Sequence, residues 1–302
     1  MTKKTKKFIL VDAFYLSIVF LPILTMIVLK ILFTPASEGV SVTGALIYFT
    51  INTPIQELPI TESQVNSLCV VIMIFGLCLF LTHGLNARKP LARQHLAELI
   101  VNKTKDLVSS SMGDYFKGYP PFIGAIMGLS GFSSLIALLG LYAPTSDVNI
   151  VAGWAVLVFA LITYYKFKCG PLKYIKSFGE PVPLLAPLNV IGEIATPISM
   201  AFRHYGNILS GSVIAVLLAT ALQGLSSMIF GWLPGVLGEI PFLRIGIPAV
   251  LSIYFDVFSS LLQAFIFAML TMMYVSSAFP ADDYFERKRK RMEKLNKRKT
   301  AI

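Results

Sequence analysis

Residues 201–211 read AFRHYGNILSG. The stretch sits inside a long apolar run, Val190–Leu222, and carries an arginine in its middle. An arginine at the centre of a bilayer costs at least ~2.5 kcal/mol, even on the mildest insertion scale. A chain that accepts this cost has a use for the charge. Two questions decide the reading: whether the run lies in a membrane, and which polar groups accompany Arg203 there.

The chain has 302 residues, of which 55% are hydrophobic and 14% charged. Its mean hydropathy is +0.72. That composition is not one of an ordinary soluble domain and points to an integral membrane protein. Apolar runs extend from end to end, so a single membrane domain is the simpler organisation. Cys69, Cys78 and Cys169 form no CxxC pair and read as small core hydrophobes. The histidines have no zinc-type spacing, and neither a Walker-type P-loop nor GxGxxG occurs. No metal or other cofactor is expected, and no nucleotide bound through those motifs.

Six apolar segments of bilayer length can be marked: Phe8–Phe33, Val65–Leu85, Pro121–Tyr142, Ile150–Tyr165, Val190–Leu222 and Ile247–Ala278. Of the 26 Lys and Arg residues, all but Lys30, Arg203 and Arg244 lie in the N-terminal stub, the second and fourth connections, and the tail after Pro280. Basic and cation-poor connections alternate without exception. The positive-inside rule then puts both termini in the cytoplasm. The formal charge of +10 is thus an orientation signal and not a nucleic-acid footprint. The tail FERKRKRMEKLNKRK reads as a solvated basic segment that can touch anionic lipid. The N-terminus MTKKTKK before an apolar stretch resembles a signal peptide, but the stretch is long and Asp12 interrupts it, which favours a retained anchor helix. If it were cleaved, five segments would remain.

Between the second and third segments, Leu91, Leu96, Leu99, Ile100, Leu107 and Val108 predict an amphipathic helix at the cytoplasmic surface. The third segment is rich in Gly and Ser, which suits close helix packing. It ends at APTSDVN, where Pro144 and Asp147 favour a turn.

The last two segments hold Glu193, Arg203 and Asp256. Ser199, Arg203, Gly206, Asn207 and Ser210 recur at helical spacing and form one stripe. Small residues keep that stripe low enough for another backbone to approach. Asp256, Ser260 and Gln263 form a second stripe, and the two can meet in an antiparallel hairpin. A run of about 33 residues spans about 50 Å as a helix against a hydrocarbon core of about 30 Å, so it must tilt or bend. Static pairing of helices by buried charges and an ion path both remain open; the clustering favours the ion path. Arginine stays protonated and so cannot relay protons itself. It can draw a partner's carboxylate into its ionised form, and it can interrupt a wire of water.

These residues carry a resemblance. FRHYGNILSG (202–211) is similar to the Arg-x-x-Gly-Asn-x-x-x-Gly helix of subunit a of the F-type ATP synthase, in the membrane-embedded Fo sector. LLQAFIFAMLTMMYVSSA (261–278) resembles the final helix of that family, APTSDVN (143–149) its external turn, and NARKPLARQHLAELIV (86–101) its cytoplasmic helix. The motifs occur in the family's order. The resemblance implies an all-α polytopic membrane protein whose last two segments form a long, tilted hairpin. It covers a subunit-a-like membrane domain over 64–280; hydropathy and charge add an N-terminal anchor helix and external segment over 1–63 and a basic cytoplasmic tail over 281–302.

The function implied is that of an ion-translocating stator subunit without a catalytic site of its own. Two offset half-channels lead to carboxylates on a rotating ring of subunit c, and ion flow turns the ring and drives ATP synthesis. H⁺ is favoured over Na⁺. The implied partners are the c-ring, peripheral-stalk subunit b, the remaining F1Fo subunits and membrane lipid, and the implied location is the bacterial plasma membrane. Arg203 matches the essential arginine facing the ring, with Asn207 and Gln263 beside it. Asp256 falls on the outer half-channel and Glu193 on the cytoplasmic one. Asp147 and Asn149 fall at a channel mouth, and Ser199, Ser260 and Ser212 along the path.

The chain departs from the family pattern in four places. Ser212 stands where many members have an acid, which makes Asp256 the main titrating group expected on the outer path. The usual Asn is absent from SSLIALLGLY, His204 replaces an apolar residue, and the tail and anchor exceed the common pattern. A lone transporter would be expected to show inverted repeats, which are not visible. A purely structural anchor would not need Arg203 and Asp256 at membrane depth.

Overall fold

The computed structural model describes residues 3–34, 44–54, 56–86, 91–168, 183–232 and 253–279, with short pieces between 170 and 179 and between 243 and 292. Its helices are α1 (Lys3–Phe33), α2 (Glu62–Thr82), α3 (Ala92–Met112), α4 (Pro120–Leu135), α5 (Val148–Lys168), α6 (Ala186–Phe230) and α7 (Ser260–Ser277). A π-helical turn, Ile253–Ser259, leads into α7. Six of the described helical stretches are long and apolar enough to cross a membrane. The protein is an all-α polytopic membrane protein.

Local chemistry sets several of the boundaries. Gln64 accepts the Thr61 N–H at 3.4 Å and helps to start α2. Gly113, at φ 76°, ends α3. Pro120 opens α4 at its first position, where a missing N–H costs nothing. Asp147 caps α5: its Oδ1 accepts the Asn149 N–H at 2.9 Å.

Besides a small cluster of Val151, Ala155 and Ala201 between α5 and α6, two larger cores hold the bundle among the described residues. One joins α3, α4, α5 and α7 through Val108, Ile123, Val158, Phe267 and Met272. The other joins α1, α2 and the end of α4 through Met26, Val70, Met73 and Ile136. At Gly76 the α2 backbone comes so near α1 that a Cβ would lie 2.8 Å from Ile18 Cγ2. Elsewhere the outer faces are apolar and exposed, as at Phe20, Phe75 and Phe202, which suits a lipid solvent.

Each end of the bundle is tied by polar contacts. At one end Lys30 Nζ stands 3.8 Å from Glu62 Oε1 and also donates to the Gly140 carbonyl. At the other, Asp12 bonds Arg93 and His83, each at 2.8 Å, and Arg93 lies over the Phe8 and Phe80 rings at 5.1 Å.

Several expectations are revised. The penultimate helix runs from Ala186 to Phe230, 45 residues instead of 33. It is about 68 Å long at 1.5 Å per residue. A two-stranded antiparallel hairpin, β1 (Ile47–Asn52) and β2 (Glu57–Thr61), precedes α2. Its signal is the alternation of Ile47, Phe49 and Ile51, which are exposed, about Tyr48, which is buried and lies 5.0 Å from the Phe33 ring. In α3 only Leu107 and Val108 of the expected apolar set join the core. Leu96, Leu99 and Ile100 remain exposed. Cys69 is buried, but Cys78 lies on the exposed side of α2, where apolar surface faces outward. Cys169, Arg244 and most of the basic tail lie outside the described residues.

Candidate functional site

The site is built on α6, and the two sides of that helix differ. Ser199, Arg203 and Ser210 are exposed, and Gly206 has open space where a side chain would stand. Arg203 makes no hydrogen bond or ion pair with any described residue. On the inner side Met200, Ala201, His204 and Gly211 are buried. The arginine stripe therefore faces out of the bundle, and the next residue faces in.

The α6 stripe touches the final segment at Asn207. Asn207 Nδ2 donates to Ser259 Oγ at 2.8 Å. Ser259, one residue off the expected stripe, makes this contact because the turn Ile253–Ser259 is π-helical, with bonds reaching five residues back and a shifted register. The Ser260 hydroxyl, itself buried, points to the Phe255 carbonyl at 3.4 Å. Phe255 in turn packs on α6 where Gly211 leaves room; a Cβ there would lie 3.2 Å from the Phe255 ring. Gln263 is buried one turn further along α7, and Asp256 is half-buried within the π-turn. Ser212 is exposed and bonds its own helix at the Leu209 carbonyl, 2.8 Å away.

Glu193 lies near the start of α6, away from Arg203. Its Oε1 accepts from Lys166 Nζ at 2.8 Å and from the Tyr174 hydroxyl at 2.7 Å. Burial, and then the Glu193 charge, hold the Tyr174 phenol above its ordinary pKa. Glu193 lines a cavity of about 230 Å³ with Ile162, Lys166, Thr196, Tyr274 and Ser277. Asp147 and Asn149 lie at the opposite end of the bundle. Besides capping α5, Asp147 accepts from the Ser63 hydroxyl, and Asn149 is exposed. Burial and the Asp147 charge raise the Tyr142 phenol.

The sequence reading singled out His204 without a role for it and missed the other buried polar groups. His204, Ser130, Ser133, Ser134 and Thr145 are at most 1% exposed. At the Asp147 end, Glu62 and Asn66 are buried as well. The Glu62 carboxylate accepts the Tyr142 N–H at 3.3 Å, and Asn66 donates to the Tyr142 carbonyl at 2.8 Å. Two signals were present: the four-residue spacing of Ser130 and Ser134, and the isolation of Lys30 in a cation-poor region.

These features define a multi-pass helical membrane protein with a cation displayed on the outer side of its bundle and buried polar groups at each end. The model of the ATP synthase A chain family matches residues 65–276. The chain is 33% identical to an ATP synthase subunit a from Bacillus pumilus, over 71% of this chain and 90% of that protein. It is 29% identical to a sodium ion specific ATP synthase subunit a from Propionigenium modestum, over 71% and 73%. It is 27% identical to one from Legionella pneumophila (strain Corby), over 80% and 95%. The chain belongs to the ATP synthase A chain family. It is a membrane subunit of the Fo sector, without a catalytic site of its own, and works in ATP synthesis and ion transport.

Proposed function

We propose that this chain is the proton-conducting stator subunit of a rotary F-type ATP synthase in a bacterial plasma membrane. In this reading both termini are cytoplasmic, and the Glu62–Asp147 end of the bundle faces outward. Two offset half-channels serve the carboxylates of a ring of subunit c. Asp256, Asn149 and Asp147 belong to the outer path, Glu193 to the cytoplasmic one, and Ser199, Asn207, Ser212, Ser260 and Gln263 line the approach to the ring. Peripheral-stalk subunit b and the other F1Fo subunits hold the chain against rotation, and lipid covers the remaining apolar faces.

One observation carries the reading: Arg203 stands exposed on α6, and no described residue neutralises it. An arginine at membrane depth needs a counter-charge. A passing ring carboxylate supplies one, is ionised by the encounter, and moves on. The protonated side chain also stops protons from running straight between the two paths. The choice of H⁺ over Na⁺ is supported by the hydroxyl and imidazole groups of the interior, which pass protons by exchange.

The test is Arg203→Ala in membranes containing the whole complex. Coupled ATP synthesis should be lost while the complex still assembles; unaltered synthesis would sink the assignment. Stimulation of the ATPase by Na⁺ would overturn the choice of ion alone.

A further inference from the structure

We propose that His204 relays protons at the inner end of a buried hydroxyl track formed by Thr145, Ser134 and Ser130. The inference rests on the proton-conducting reading above and adds a residue to its outer path. His204 is 0% exposed, and its Nε2 lies 3.3 Å from Ser130 Oγ. Its Nδ1 is buried without a partner among the described residues. A histidine kept only for packing satisfies both nitrogens, because a buried unpaired polar atom costs about 1–3 kcal/mol. One nitrogen engaged and one open is the arrangement of a group that takes a proton on one side and gives it up on the other.

The track leads outward from that imidazole. Ser134 lies one turn beyond Ser130 on α4, donates to the Ser130 carbonyl at 3.0 Å and stands 3.0 Å from Thr145 Oγ1. Thr145 is two residues from Asp147, at the proposed mouth. Hydroxyls one turn apart on a helix are separated by about 5–6 Å, a gap that one water spans. Ser133 Oγ and Asn66 Oδ1 are likewise buried and unpartnered among the described residues. Both belong to the helices at this end of the bundle, α4 and α2.

Among the described residues, the groups in contact with the ring are uncharged. They are Ser130 from α4, Trp154 from α5 and Phe267 from α7, the two aromatic rings edge-on at 6.0 and 5.6 Å. They hold the imidazole plane without trapping an imidazolium in a fixed ion pair. On α6, Asn207 lies one turn past His204 and contacts Ser259. A proton arriving through Ser130 adds to Nε2, and the proton on Nδ1 leaves toward the Asn207–Ser259 contact and the ring carboxylate. One proton enters and one leaves. The imidazole is left as its other tautomer, and passage of the Nε2 proton to Nδ1 through water restores the first.

The test uses membrane vesicles containing the complete complex, with ATP-driven acidification followed by a pH-sensitive dye. His204→Ala should slow pumping roughly tenfold or more, in the range of a lost proton-transfer group. Added imidazole should restore it, whereas pyrrole, which has the same shape but no acceptor nitrogen, should not. Equal rescue by pyrrole would overturn the relay, as would normal pumping by His204→Phe. If both variants fail to assemble, Ser130→Ala decides: slowed pumping supports the track, and pumping at the parent rate overturns it. Arg203→Ala in the same vesicles separates the two levels. If it pumps normally, the conducting reading itself fails; if it is inactive while His204→Phe pumps normally, only the relay fails.

Discussion

Arg203 and His204 are adjacent in the chain, yet one faces out of the bundle and the other into it. Arg203 is exposed on the outer side of α6, while His204 is fully buried against Ser130, Trp154 and Phe267. Successive residues on a helix point about 100° apart, so one turn of α6 serves two surfaces. On the proposed reading, ion traffic between the bundle interior and the ring meets this turn from both surfaces.

The proposed paths open at opposite ends, and this separates two carboxylates. Asp256→Asn should slow ion uptake from the outer side, and Glu193→Gln should slow release on the other. Single-turnover proton flux in reconstituted vesicles, driven in each direction, distinguishes them. Identical slowing in both directions would contradict the assignment.

Lys30 and Glu62 form a second testable pair. Glu62 is 2% exposed and has one cationic neighbour among the described residues, Lys30, at 3.8 Å. Lys30→Met removes that cation from beside the buried carboxylate and, because the Lys30 side chain is itself 34% exposed, should cost about 1–3 kcal/mol. The double variant Lys30→Met/Glu62→Leu should recover most of the loss. Thermal unfolding of the four members of the cycle measures the coupling.

Gly76 fixes how closely α1 and α2 approach. A Cβ at this position would meet Ile18 Cγ2 at 2.8 Å and the Ile18 backbone carbon at 3.2 Å. Gly76→Leu should push the helices apart and cost about 1–3 kcal/mol, as overpacking does. Cysteine cross-linking between α1 and α2 should then become slower.

Tyr48 gives the external hairpin an alkaline limit. Burial, and then the Glu62 charge, push its phenol from 10.0 up to about 12. The folded state favours the neutral form. The contribution of Tyr48 to stability is therefore fully present below pH 10 and lost as pH rises from 10 through about 12. Phenolate absorbance should show one fewer late-titrating tyrosine in Tyr48→Phe than in the parent. Since the Tyr48 hydroxyl has no partner among the described residues, that variant should be at least as stable as the parent.

Much of this architecture is legible in the chain because bilayer physics writes it there. Long apolar runs and the alternation of basic connections mark the spans. The Arg203 stripe is visible because α-helical periodicity holds throughout α6. The hairpin was missed because its alternation is only a few residues long. The stripe on the final segment was misregistered by one residue at Ser259, because periodicity assumes a uniform α-helix and a π-turn breaks it. The resemblance located Arg203, Asn207 and Gln263 but had no place for His204.

By itself, then, the sequence determined that the chain is a helical membrane protein, that it carries an arginine at depth, and which residues share that arginine's face. These are local properties, fixed by composition and by a repeat of 3.6 residues. Tertiary structure alone decided which face turns outward and what surrounds His204. Ser130, Trp154 and Phe267 come from three other helices, and no spacing along one helix encodes contacts between four. Packing brought them together, left the imidazole with one open nitrogen, and left Arg203 facing out of the bundle.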